Sequence, residues 1–283
     1  MTWVLRFAWI AVGIVGSAAS TDALDNRSDL VRWVLTIWVS AIWFGALVAM
    51  LVPSVITLTV VRLTAPAAPI TAIVGLIAGA DTASGVISVV LGVIASVVAL
   101  SADVGQQFIQ SSAYGHEQRF PLRPPGALLL GPIQVLWAVA LGPLLVGPAL
   151  VAAGQTVVGG LIAIAGIGLL WALAPRFHEL GRRWLVFVPA GLVVHDHVPL
   201  AETVMVSTGD VEIVNLAPAD TNAIDLTANA LGPAVEITIR QPIAVARKGM
   251  TRGASSETVT ADRLLVSPSR PGRVVAAARE RGW

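Results

Sequence analysis

Two regimes of patterning divide the chain. Up to Ala174 apolar residues run in long, nearly unbroken stretches. From Pro175 onward, short Val/Ile/Leu segments alternate with charges, Gly and Pro. Apolar runs of ~18 residues or more read as membrane spans, and short apolar segments bounded by Gly or Pro read as strands. The pattern predicts an α-helical transmembrane domain of about six spans over residues 1–175. A small mixed α+β domain over residues 176–283 follows it.

The predicted spans are Trp3–Ala19, a long run Leu30–Val61 interrupted by Pro53, Ala67–Ala80, Ser84–Ala102, Ala127–Ala152 and Val157–Ala174. The third covers only about 21 Å at 1.5 Å per residue, short of a ~30 Å hydrocarbon core. It either borrows residues from before Pro66 or is re-entrant. Gly75 with Gly79, and Gly160, Gly166 and Gly168, are the expected close-packing positions, because small residues let helices approach. Gly142-Pro143 and Gly147-Pro148 are expected to bend the fifth helix.

In the tail, Trp184–Val188 and Leu192–Asp196 flank Pro189-Ala190-Gly191, a hairpin pattern. Further strands are expected at Glu202–Val206, Val211–Leu216, Ala234–Arg240, Ile243–Arg247 and Val259–Val266, with an irregular stretch Ala217–Gly232. Val274, Val275, Ala278 and Arg279 then fall at helical spacing, with Ser267 as N-cap and Pro268 at the first helical position. Seven strands and a closing helix imply a partly open barrel.

Composition agrees with the membrane reading. Hydrophobic residues make up 55% of the chain and charged residues 12%, half of the ~25% usual in soluble domains. The absence of Cys excludes disulfides and thiolate metal sites. A net charge of +1 without a like-charged block gives no nucleic-acid footprint. With six spans the termini share a side, which collects Arg6, Arg62, Arg119, Arg123, Arg176, Arg182 and Arg183. The other side has Arg27 and Arg32, diluted by Asp22, Asp25 and Asp29. Basic residues stay inside, so both termini are expected in the cytoplasm and the chain in the plasma membrane. Arg6, an apolar stretch and Ser17-Ala18-Ala19 also resemble a signal peptide, but an uncleaved first span is the favoured reading.

Candidate chemistry is sparse. Mid-span carboxylates and His residues, the default functional signal inside a membrane, are missing. Asp81 and Asp103 fall beside spans, and Arg6 and Arg62 at span ends where they can snorkel. His116-Glu117 and His178-Glu179 lack the second His of a helical zinc motif, since Phe120 and Arg182 stand there. His195 and His197 would share one face of a strand and could share a metal. A polar turn at a strand end is the favoured alternative. Arg247, Lys248 and Arg252 form a small basic patch able to touch lipid headgroups, at ~1 kcal/mol per residue; a solvated loop competes with that reading. The Pro-rich loop Asp103–Gly126 is either a connector or a segment that docks the tail or a partner. No catalytic residue and no cofactor emerge.

The strand order with Leu264-Leu265-Val266-Ser267-Pro268 before a terminal helix resembles the bacterial pleckstrin-homology-like domains, which often follow transmembrane helices. The whole chain is similar to a family of actinobacterial multi-pass membrane proteins of uncharacterised activity. That similarity rests on Arg182-Arg183 with Trp184–Gly191, Ala113-Tyr114-Gly115 with Arg119–Pro125, and Leu265–Gly272. The resemblance implies a seven-stranded partial barrel and no activity. The chargeless hairpin loop Pro189-Ala190-Gly191 gives no reason to expect phosphoinositide binding. The expected function is non-enzymatic: a polytopic protein whose tail mediates protein interaction, assembly or self-association. A transporter or channel for a small neutral or apolar substrate is the alternative.

Overall fold

The computed structural model describes residues 1–248 and 256–283. The chain forms two compact units. One comprises Met1–Phe108 with Gln134–His178, the other Ile109–Ile133 with Glu179–Trp283. A division between residues 175 and 176 takes no account of the segment 109–133, which belongs with the tail.

Among the described residues, six helical segments are long and apolar enough to cross a membrane. They comprise α1 (Thr2–Leu24), α2 (Asp29–Leu51), α3 (Val55–Thr64) continued by α4 (Ala67–Ile77), and α5 (Thr82–Leu100). Beyond α6 (Ala102–Gln110), β1 (Gln118–Pro121) and α7 (Gly126–Leu129), α8 (Pro132–Ala152) and α9 (Thr156–Gly181) complete them. The chain is a polytopic membrane protein. The long run Leu30–Val61, taken as one predicted span interrupted by Pro53, is divided instead. Val52-Pro53-Ser54 ends α2, and Ser54 caps α3 through a reciprocal box with Thr57. The third span therefore takes its residues from before Pro66 and reaches full length as Val55–Ile77. Pro66 cannot donate to the Arg62 carbonyl, and side chains supply the neighbouring carbonyls at the break. Trp137 Nε1 donates to Leu63 O at 3.0 Å, and Ser96 Oγ to Ala65 O at 2.9 Å. α9 runs through Pro175 to Gly181, so the change of patterning after Ala174 lies inside a helix.

Small residues set the packing of this unit. α5 lies along α1 and α4 and buries Gly85, Ser88, Gly92, Ala95 and Ala99, a repeat of three and four that lines one helical face. A Cβ at Gly92 would stand 2.7 Å from Pro69 N. Between α8 and α9, Gly147 would meet Ala163 N at 2.7 Å, Gly159 would meet Gly147 O at 2.5 Å, and Gly166 would meet Leu144 Cδ2 at 2.9 Å. Gly160 and Gly168 have open space around them, as does Gly79, whose φ of +101° places it at a turn. Of the glycines expected to pack, Gly166 does so, while a Cβ at Gly75 would meet only Ala80 Cβ at 4.0 Å. Gly147 and Gly159 were not foreseen. α1 and α2 are clamped by a reciprocal pair: Trp9 Nε1 donates to Trp43 O at 3.0 Å and Trp43 Nε1 to Trp9 O at 2.9 Å.

The second unit is built on two sheets. One has the order β1-β2-β3-β4, with β2 (Trp184–Val188), β3 (Gly191–His195) and β4 (Val204–Ser207). The other has the order β5-β7-β8-β6, with β5 (Val211–Leu216), β6 (Ile224–Asp225), β7 (Val235–Arg247) and β8 (Glu257–Val266). Expected strands 234–240 and 243–247 are one long strand with a register shift between Thr238 and Ile243. The stretch expected to be irregular contains β6. Helix α10 (Pro271–Glu280) packs Val274, Val275 and Ala278 into the core. It starts three residues later than expected, with Arg270 as N-cap and Pro271, not Pro268, at its first turn. Ser267 is buried and lies outside the helix.

The first strand comes from the loop between the fourth and fifth spans. β1 pairs antiparallel with β2, with Phe120 opposite Leu185. Phe120 and Leu122 enter the core, and the Phe120 ring meets Phe187 edge-on at 5.1 Å between centroids. Beyond β1 the same segment turns to the other sheet. Leu122 N–H donates to Arg183 O at 2.9 Å, while Arg123 N–H donates to Ser267 O and Ser269 N–H to Pro121 O, each at 2.8 Å. Residues 121–123 therefore stitch one seam between the two sheets.

Candidate functional site

The most deeply buried polar group of the β-domain is an ion pair. Arg183 Nε and Nη2 donate to the two Asp196 carboxylate oxygens at 2.7 Å each, with both side chains at zero exposure. Arg183 Nη1 donates to Arg123 O at 2.9 Å, and Asp196 Oδ1 accepts from Val198 N–H at 3.1 Å. The bidentate geometry answers most of the desolvation cost of two buried charges. The pair joins the segment after β1, the start of β2 and the end of β3. Its role is to hold, since every polar atom named is spent on another part of the domain.

The turn chemistry explains how the two residues meet. The hairpin loop is Pro189-Ala190, with Val188 opposite Gly191. Gly191 has φ +154°, and a Cβ there would lie 2.0 Å from Val206 O, so only Gly fits. Trp184 then stands opposite His195, and the next pair outward is Arg183 and Asp196.

His195 and His197 do not converge. The His195 ring stacks on Trp184 at 5.3 Å, and its Nδ1 lies 3.1 Å from the Thr203 hydroxyl. Arg119 covers the Trp184 ring at 5.6 Å and is bonded to Glu117 at 2.8 Å. His197 follows the strand, with its carbonyl accepting from Lys248 Nζ at 2.5 Å. Both imidazoles are held below their ordinary pKa, first by burial. Arg182 next depresses His195, whereas Asp196 partly offsets the shift at His197. Among the described residues no group of three or more His, Cys, Asp or Glu could hold a metal. Of the basic patch, Lys248 is exposed and Arg247 half-buried at the end of β7; Arg252 lies outside the described residues.

In the helical unit, Asp81 caps α5 by accepting from Ser84 N–H at 2.9 Å. That bond holds its carboxyl below the usual range. Arg62 departs from expectation. It stands two turns inside the span Val55–Ile77 instead of at an end, with Nη2 only 2.6 Å from where Gly105 would carry a Cβ. The proline break that lengthens this span is what moved it inward.

The opposite seam of the β-domain is open. β4 forms the edge of its sheet, and among the described residues nothing bridges Thr203–Met205 to Ile243 and Ala244 of β7. A slot of about 330 Å³ lies between them, lined also by Glu202, Ala246 and Thr258. One end is closed where Leu200 bridges Arg247, with Ala201 N–H donating to Ala246 O at 2.9 Å and Lys248 N–H to Pro199 O at 2.9 Å. Single-sequence patterning missed the slot, because it depends on strands that are not neighbours in sequence. The exposed Met205 in an uncharged Val-Met-Val-Ser strand was the available signal.

Comparison with family models, curated proteins and solved structures returns no match.

Proposed function

We propose that this is a plasma-membrane protein without enzymatic activity, whose β-domain faces the cytoplasm with both termini and mediates protein interaction or assembly. The domain is a partial barrel of the bacterial pleckstrin-homology-like type, and the chain is a member of the actinobacterial multi-pass family it resembles. One observation carries the reading: the two sheets are stitched along one seam by the loop strand and left open along the other. The buried Arg183–Asp196 pair is spent on holding, which leaves the edges of the domain as the surface available for contact. Backbone-close packing of α8 on α9 and of α5 on α4 favours a packed bundle over a conduit, and so weighs against the transporter reading. Arg119, Arg123, Arg182 and Arg183 on the loop and tail support a cytoplasmic domain.

The test is photocrosslinking in the producing membrane, with the reactive group placed in turn at Met205, Ala244 and Ile213 of the full chain. A discrete adduct at one or more positions is the expected result. The bare chain at every position overturns the interaction role. Protease cleavage of the tail in inside-out vesicles checks the orientation, and protection there overturns it.

A further inference from the structure

The open seam has the chemistry of a strand acceptor. Thr208 N–H donates to Ala190 O at 3.0 Å, and an antiparallel ladder alternates the residues that face the partner. Val206 and Val204 therefore spend their backbone groups on β3, whereas Met205 directs its N–H and carbonyl out of the sheet. On β7, Ala246 O and Lys248 N–H face Pro199 and Ala201, so Ala244, two residues earlier, presents its N–H and carbonyl to the slot. Beyond Arg240, whose N–H donates to Asp210 O at 2.8 Å, β5 no longer covers this edge. Two strand edges thus face one gap, each with backbone groups that no other described residue takes up.

Width and charge select the occupant. A slot of about 330 Å³ bounded by two strand edges is too small for a folded partner and suits one extended chain. A second folded copy would bring its own β3 beside β4, and a gap bounded on both sides has no place for it. Ala244, Ala246, Thr203 and Thr258 leave room only for modest side chains. Among the described residues Glu202 is the one charged residue lining the slot, and it enters no ion pair there.

We propose that the seam between β4 and β7 binds an extended segment of another polypeptide, paired by its backbone to both edges and carrying Lys or Arg beside Glu202. This rests on the interaction role above and names its site. The test uses the full chain in nanodiscs with an eight-residue probe, Lys-Thr-Val-Thr-Val-Thr-Ala-Lys, at up to about 1 mM. A control probe carries Pro at its fourth and fifth positions, which removes a central N–H donor toward each edge. Saturable binding should slow amide exchange at both Met205 and Ala244 by about tenfold or more, and the Pro probe should not bind. Glu202→Lys should weaken this probe about tenfold and favour one flanked by Glu. Binding that protects neither edge or only one, absence of binding, or indifference to Glu202→Lys overturns the proposal. The broader role fails separately: adducts from Ile213 but not from Met205 or Ala244 sink the slot alone, while none at any position sinks both.

Discussion

Replacing Asp196 with Ala would strand the Arg183 guanidinium at zero exposure, with two 2.7 Å bonds removed and only the Arg123 carbonyl left. Breaking a buried pair by removing one partner costs ~3–5 kcal/mol, against the ~5–15 kcal/mol that holds a typical domain together. At ~1.4 kcal/mol per factor of ten, amides of β2 and β3 should exchange about two to three and a half decades faster. Exchange on the full chain in nanodiscs, read at Leu185 and Val194, measures this directly. The double variant Arg183→Met/Asp196→Leu removes both charges while keeping apolar volume. It should lie closer to the parent than either single change, because the penalty comes from the orphaned ion and not from loss of the pair. Acceleration of less than about tenfold in Asp196→Ala, or a double variant worse than both singles, would refute the reasoning.

Three further outcomes are expected. Gly147→Val should destabilise the detergent-solubilised helical unit strongly, since its Cβ would stand 2.7 Å from Ala163 N, and backbone cannot step aside; Gly160→Val, with open space, should change the denaturation midpoint little. Trp9→Phe and Trp43→Phe should each cost about 0.6 kcal/mol in a denaturation titration, the average for an interhelical hydrogen bond. Because His195 and His197 are depressed below 6.5 in the fold, the unfolded chain takes up protons first as pH falls. Stability of the β-domain should therefore be full above about pH 7.5, fall through 6.5, and level off below the folded values. The double change His195→Gln/His197→Gln should flatten that slope in a thermal midpoint series, and an unchanged slope would disprove the assignment.

Much of the helical unit was legible in residue order because each span is a local property. Hydropathy marked six runs, and Pro53 and Pro66 marked where the chain breaks, although which break ended a span needed the Ser54–Thr57 cap. The seam glycines were not separable from idle ones, because Gly147 and Gly160 differ only in what the neighbouring helix places beside them. In the tail the strands were readable and their pairing less so. Taking the loop as three residues, Pro189–Gly191, slips the register by one and sets Trp184 opposite Asp196. The two-residue loop instead brings Arg183 to it. The fold confirms a mixed strand domain with a closing helix, and the loop segment Gln118–Pro121 reads as a strand only once β2 stands beside it.

The origin of β1 also governs when the protein can mature. Its partner β2 is translated only after α8 and α9, so Phe120 and Leu122 wait unmated while both of those helices are synthesised and lodged. Completion of the first sheet therefore waits until α8 and α9 have been synthesised, which sets an order on biogenesis. It also means that a fragment beginning at Glu179 would expose the apolar edge of β2 and the Phe187 ring. Stickiness of such a piece would be a wound left by the excision and no measure of the protein's appetite for partners.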